Sequence, residues 1–75
     1  FNPSTVISYQ LAESGDVALK IFDTMGREVA ALVNRPQRAG LHAITFDASG
    51  LSSGTYFYQL KTGDFIQSRK MILLK

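Results

Sequence analysis

A nucleophile-base-orienter triad needs a base, and the sequence holds a single histidine, His42. His42 alternates with Ile44 and Phe46, so on a strand it shares their apolar face and reads as a structural histidine near a sheet edge, not a general base. One histidine and no cysteine argue against a zinc site. The carboxylates Glu13, Asp16, Asp23, Glu28, Asp47 and Asp64 are the other candidates, because such groups serve glycoside hydrolysis in pairs and calcium binding in clusters. Most of them fall at turn signals, where their side chains satisfy nearby backbone N–H groups, and no run has calcium-loop spacing. Asp23 and Arg27 are more specific, an acid and a base flanking one turn; as an exposed local pair they would add little to stability. Tyr9, Tyr56, Phe57 and Tyr58 invite an aromatic platform for sugar or single-stranded nucleic acid. Alternation opposes it, since Tyr56 and Tyr58 share a face with Leu60 and read as core, leaving Phe57 as the conspicuous aromatic of the other face. The expectation is no catalytic residue, no metal and no cofactor.

The last ten residues combine the basic Arg69-Lys70 step with a continuous apolar run, Met71-Ile72-Leu73-Leu74, before Lys75. A strand buried on both faces accounts for this pattern. A terminal strand that a receptor reads by edge pairing and by its charged flanks accounts for it as well, and the two are compatible.

Length and composition narrow the setting. Seventy-five residues make one domain, expected to span 1–75, and a chain this short buries only about 60% of the surface its unfolded form exposes. No disulfide can staple it, so 45% hydrophobic residues must supply the core alone. A net charge of +2 is too small to build a strong field toward nucleic acid or anionic lipid, and neither is an expected partner. No apolar run approaches the roughly 20 residues of a spanning helix, and no basic-then-apolar leader opens the chain. A start at Phe1 suggests a domain cut from the end of something longer.

The elements that would position these residues are strands. Apolar residues recur with period two between turn residues, which predicts six strands. They are Thr5 to Leu11, Val17 to Asp23, Arg27 to Val33, Leu41 to Asp47, Thr55 to Lys61 and Phe65 to Leu74. The third is ambiguous, because Val29, Leu32 and Val33 also fit a short helical face. Asn34 to Gly40 reads as loop, and Pro36 argues against a central strand there. Gly26 is placed for a positive φ in a tight hairpin, with Asp23 bonding the turn's own backbone. Leu51 is the one large apolar residue of a long connection and is expected to tuck beneath it. Together these features predict an all-β, immunoglobulin-like antiparallel sandwich of about six to seven short strands, with an open barrel as the alternative.

Four segments carry a resemblance. Phe1-Asn2-Pro3-Ser4-Thr5 is similar to the second half of a Pro-Asn-Pro-Phe-Asn-Pro opening, and Asp23-Thr24-Met25-Gly26-Arg27 to an Asp-x-x-Gly-Arg turn. Phe46-Asp47-Ala48-Ser49-Gly50-Leu51-Ser52-Ser53-Gly54-Thr55-Tyr56-Phe57-Tyr58 is similar to a Gly-Leu-x-x-Gly-x-Tyr stretch, and Arg69 to Lys75 to a basic-apolar tail. In this order, and over essentially the whole chain, they resemble the C-terminal sorting domains of the type IX (Por) secretion system. Departures are mild: Thr55 stands where Val is common, Arg69 precedes Lys70 where two lysines are usual, and the first half of the opening is absent. The resemblance implies a non-catalytic sorting signal covalently linked to an upstream cargo of a Bacteroidetes-like bacterium. It implies passage by way of the periplasm through the outer-membrane translocon to the cell surface or exterior, with a sortase-like peptidase as a further partner. Carried onto this chain, its recognition residues are Asp23, Gly26, Arg27, Gly54, Tyr56, Lys70, Met71 and Lys75. A flagellar hook-capping domain is the rival by resemblance, as an assembly scaffold; a terminal Lys75 favours the sorting signal. A carbohydrate-binding module resting on Phe57 is a third possibility.

Overall fold

Period-two alternation becomes six β-strands in the computed structural model, which describes residues 3–74. They are β1 (Ser4–Leu11), β2 (Gly15–Asp23), β3 (Glu28–Gln37), β4 (Gly40–Asp47), β5 (Gly54–Thr62) and β6 (Phe65–Leu73). All pairings are antiparallel, and they form a four-stranded sheet in the order β3-β2-β5-β6 and a two-stranded sheet of β1 and β4. The two sheets face each other as a sandwich-like, all-β arrangement. Ile7, Tyr9, Leu11 and Phe46 of the small sheet meet Val17, Leu19, Ile21, Val33, Tyr56, Leu60 and Leu73 of the large one. Each buried side chain of this kind contributes about 1.5–3 kcal/mol, which a cysteine-free chain has to obtain by packing alone. The Tyr9 hydroxyl donates to Oε1 of Gln37 on β3 and ties the sheets together at one end.

β3 departs from expectation in two ways. It runs on to Gln37, through Pro36, where a loop is predicted from composition. This is permitted because β3 is an edge strand, paired only with β2, so the missing N–H of Pro36 deprives no second neighbour of a bond. Its pairing also slips twice: Leu19 faces Val33 while Lys20 faces Ala31, and Ile21 faces Ala30 while Phe22 faces Glu28. Leu32 and Val29 are therefore extra residues in bulges, which explains why the apolar spacing of this segment imitates a helix.

β6 is not buried on both faces. Leu73 is fully enclosed and Met71 packs against the core, but Ile72 is 48% exposed and Ile66 57%. As the edge of its sheet, β6 has one face on the core and one on solvent. His42 is structural as expected: its ring stacks on Tyr9 at 5.5 Å and its Nε2 donates to the Arg38 carbonyl at 2.7 Å. Leu51 is half-buried against the core beneath its loop.

Candidate functional site

The Asp23 turn is built from its own residues. The Gly26 N–H donates to the Asp23 carbonyl at 3.1 Å, and the Asp23 N–H to the Arg27 carbonyl at 3.0 Å. Gly26 has a φ of 81°, which an L side chain strains to adopt. This is a three-residue hairpin loop closed by a glycine in the left-handed region. Asp23 Oδ1 accepts from the Met25 and Arg27 N–H groups at 2.9 and 3.0 Å, and Oδ2 from Arg27 Nε at 2.9 Å. The Arg27 backbone N–H, helped by its guanidinium and by the Met25 N–H, holds the Asp23 carboxyl below the usual carboxylate range. The Arg27 side chain itself is 77% exposed and presents its remaining donors to solvent.

Gly54 and Tyr56 shape the start of β5. Gly54 has a φ of 153°, and a Cβ there would meet open space, so backbone conformation alone asks for glycine. Two residues on, the buried Tyr56 donates its hydroxyl to the Ser52 carbonyl at 2.7 Å and closes the loop. A tyrosine bonded to backbone a few residues upstream is a recurrent clasp of sandwich corners. Ser52 enters the site through its carbonyl, a role its side-chain type does not signal; the hint is a Ser-Ser-Gly turn preceding a tyrosine.

Strand register unites these pieces. Asp23 faces Tyr56 across β2 and β5, and Tyr56 faces Met71 across β5 and β6, so the three form one row across the sheet. Gly54 lies opposite Leu73, two residues further toward the same end. Six of the expected recognition residues, Asp23, Gly26, Arg27, Gly54, Tyr56 and Met71, thus gather at one end of the four-stranded sheet. Lys70 belongs to the adjacent row and the opposite face, exposed beside Phe57. Lys75 lies outside the described residues, as do Phe1 and Asn2 of the opening motif. Phe57 is not the sole aromatic of the outer face: Phe22 sits directly across from it, and both are half-buried.

Among the described residues no group of three or more His, Asp or Glu side chains is arranged to hold a metal ion. Of the other carboxylates, Asp47 accepts from the Ser49 N–H at 2.9 Å, and that bond lowers its pKa, while Glu28 pairs across β2 and β3 with Lys20 at 3.1 Å. In comparison with known proteins, a family model described as the secretion system C-terminal sorting domain matches residues 2–74. No curated protein and no solved structure matches the chain.

Proposed function

Because the chain belongs to the family of secretion system C-terminal sorting domains, we propose that it is a non-catalytic address that carries an upstream cargo through the type IX outer-membrane translocon. Family membership makes it a type IX sorting signal, which implies a cargo that is secreted or exposed at the cell surface. Passage by way of the periplasm, engagement of the translocon and processing by a sortase-like peptidase are the finer parts of the proposal, as is action as one 75-residue unit. The observation that carries it is the row Asp23-Tyr56-Met71, which brings three separated motif segments to one sheet end. Asp23 and Tyr56 build the frame of this end, and the exposed Arg27 guanidinium at its rim is the group it offers a receptor. Lys70 and Lys75 supply the charge that such a receptor reads.

The test is to fuse residues 1–75 to the C-terminus of an exported reporter in a type IX-competent host. The intact domain directs the reporter to the medium or cell surface. Lys70→Gln with Lys75→Gln lowers export while circular dichroism and thermal melting stay unchanged, because an exposed charge adds little to folding. Retention of the folded, intact fusion in the periplasm would overturn the function. Full export by the double variant would remove the two lysines from the signal.

A further inference from the structure

The large sheet has two sides, and β1 and β4 cover only the inner one. Alternation sends every second residue of β5 and β6 to the outer side, so Phe57, Gln59 and Lys61 stand there beside Ser68 and Lys70. All three lysines that the structure describes, Lys20, Lys61 and Lys70, lie on this side. Neither β5 nor β6 contains a carboxylate, and their half of the face is therefore purely cationic. The acids of the outer side, Asp16 and Glu28, belong to β2 and β3, and Glu28 is already paired with Lys20. Lys61 and Lys70 have no ion-pair partner among the described residues. Arg69 alternates to the inner side and takes no part.

Register sets the spacing. Lys70 stands opposite Phe57 and Phe57 opposite Phe22, so a cation borders a half-buried aromatic pair. Lys61 lies further along β5, about 13 Å from Phe57 at the rise of an extended strand. Between the two cations Gln59 faces Ser68, an amide and a hydroxyl that both donate and accept. β5 is bonded on one side to β2 and on the other to β6, so this part of the face offers side chains and no free backbone. That argues against a polypeptide read by strand pairing. It fits a ligand read by ring surface, hydroxyl groups and charge.

We infer that the outer face of β5 and β6 binds an acidic polysaccharide. The apolar C–H face of one sugar packs on Phe57 and Phe22, and its hydroxyls exchange hydrogen bonds with Gln59 and Ser68. Carboxylates or sulfates along the glycan meet Lys70 and Lys61, which selects against neutral chains. The inference goes beyond export and does not depend on it, since Phe57, Gln59, Lys61 and Ser68 are outside the residues assigned to the sorting signal.

The probe is hexagalacturonate, titrated into the isotope-labelled 75-residue chain and followed by amide chemical shifts. Its methyl ester, which keeps the rings and loses the charge, is the control. Shifts are expected on the outer residues of β5 and β6, with the acid bound about tenfold or more tighter than the ester. Lys61→Gln with Lys70→Gln should weaken binding about tenfold at an unchanged melting temperature, because exposed charges add little to folding. Phe57→Leu, which keeps apolar bulk in the sheet and removes the ring, should weaken it as well. No shifts with millimolar hexagalacturonate or heparin hexasaccharide, shifts on another surface, or equal binding of the ester would overturn the site. Equally tight binding of hexaglutamate, oligothymidylate or anionic vesicles at the same residues would overturn its assignment to a polysaccharide. Lys61→Gln alone should lower glycan binding and leave reporter export intact; loss of both in a folded variant would overturn their independence.

Discussion

Leu73→Ala separates what β6 does for folding from what it does for recognition. Leu73 is fully enclosed, and its cross-strand neighbour is Gly54, which has no side chain to swing into the space that truncation leaves. Leucine-to-alanine changes in cores cost about 2–5 kcal/mol, more where the cavity persists, so the upper half of that range is expected. A domain of 75 residues has about 4–11 kcal/mol in total, at roughly 0.05–0.15 kcal/mol per residue. One truncation would therefore remove a third or more of the stability and lower the melting temperature by more than about 10 °C. Ile66→Ala is the control on the same strand; at 57% exposed it should cost less than about 1 kcal/mol. Urea unfolding followed by circular dichroism reads both as midpoint shifts at constant slope. Equal shifts for the two variants would refute the assignment of Leu73 to the core and of Ile66 to solvent. If the large difference is found, loss of export in a Leu73 variant reports unfolding, not an unread signal.

Two further perturbations address the sheet end. Tyr56→Phe removes only the hydroxyl that donates to the Ser52 carbonyl and should cost about 0.5–1.5 kcal/mol, whereas Gly54→Ala, at a φ of 153°, should cost more than about 1 kcal/mol through backbone strain despite open space around its Cβ. Thermal melts compare them, and an unchanged Gly54→Ala melt would mean that β5 does not need glycine at its start. Asp23 and Asp47 both have folded pKa values below the ordinary one, first through a backbone N–H bond in each case. A depressed folded pKa gives stability that is complete above the unfolded value of about 4 and is lost as pH falls through the folded value. Urea midpoints between pH 7 and pH 2 should thus decline on the acid side, and Asp23→Asn should flatten that decline; an identical acid limb in the variant would refute it.

Much of this architecture was legible because its physics is local. Alternation placed Ile7, Leu11, Leu19, Ile21 and Leu60 on inner faces, and the Asp23 and Gly26 spacing announced a hairpin that needs one positive φ. β3 departs from its pattern where a nonlocal fact decides: Pro36 is excluded from a central strand but acceptable at an edge, and no residue states which strand is the edge. Bulges at Val29 and Leu32 then hid the alternation. The run after Lys70 misled for the same reason, since an apolar edge strand and a doubly buried strand are written alike until the neighbours are known. At the site, the types of Asp23, Gly54, Tyr56 and Met71 were readable, but their alignment in register is a property of three pairings and has no signature within any one segment.

The residues that carry the family resemblance divide into two kinds. Asp23 and Gly26 are required by their own hairpin, and Gly54 and Tyr56 by the start of β5, so folding explains them without any receptor. Substituting them confounds signal with stability. Arg69 and Lys70 differ: they are exposed and have no carboxylate partner among the described residues, so packing does not account for their charges. Folding determinants thus set the frame, and these two cations are where the proposed recognition can be tested without loosening the sandwich. Charge variants of β6, not glycine or tyrosine variants of the turns, are accordingly the cleaner test of how this domain is read.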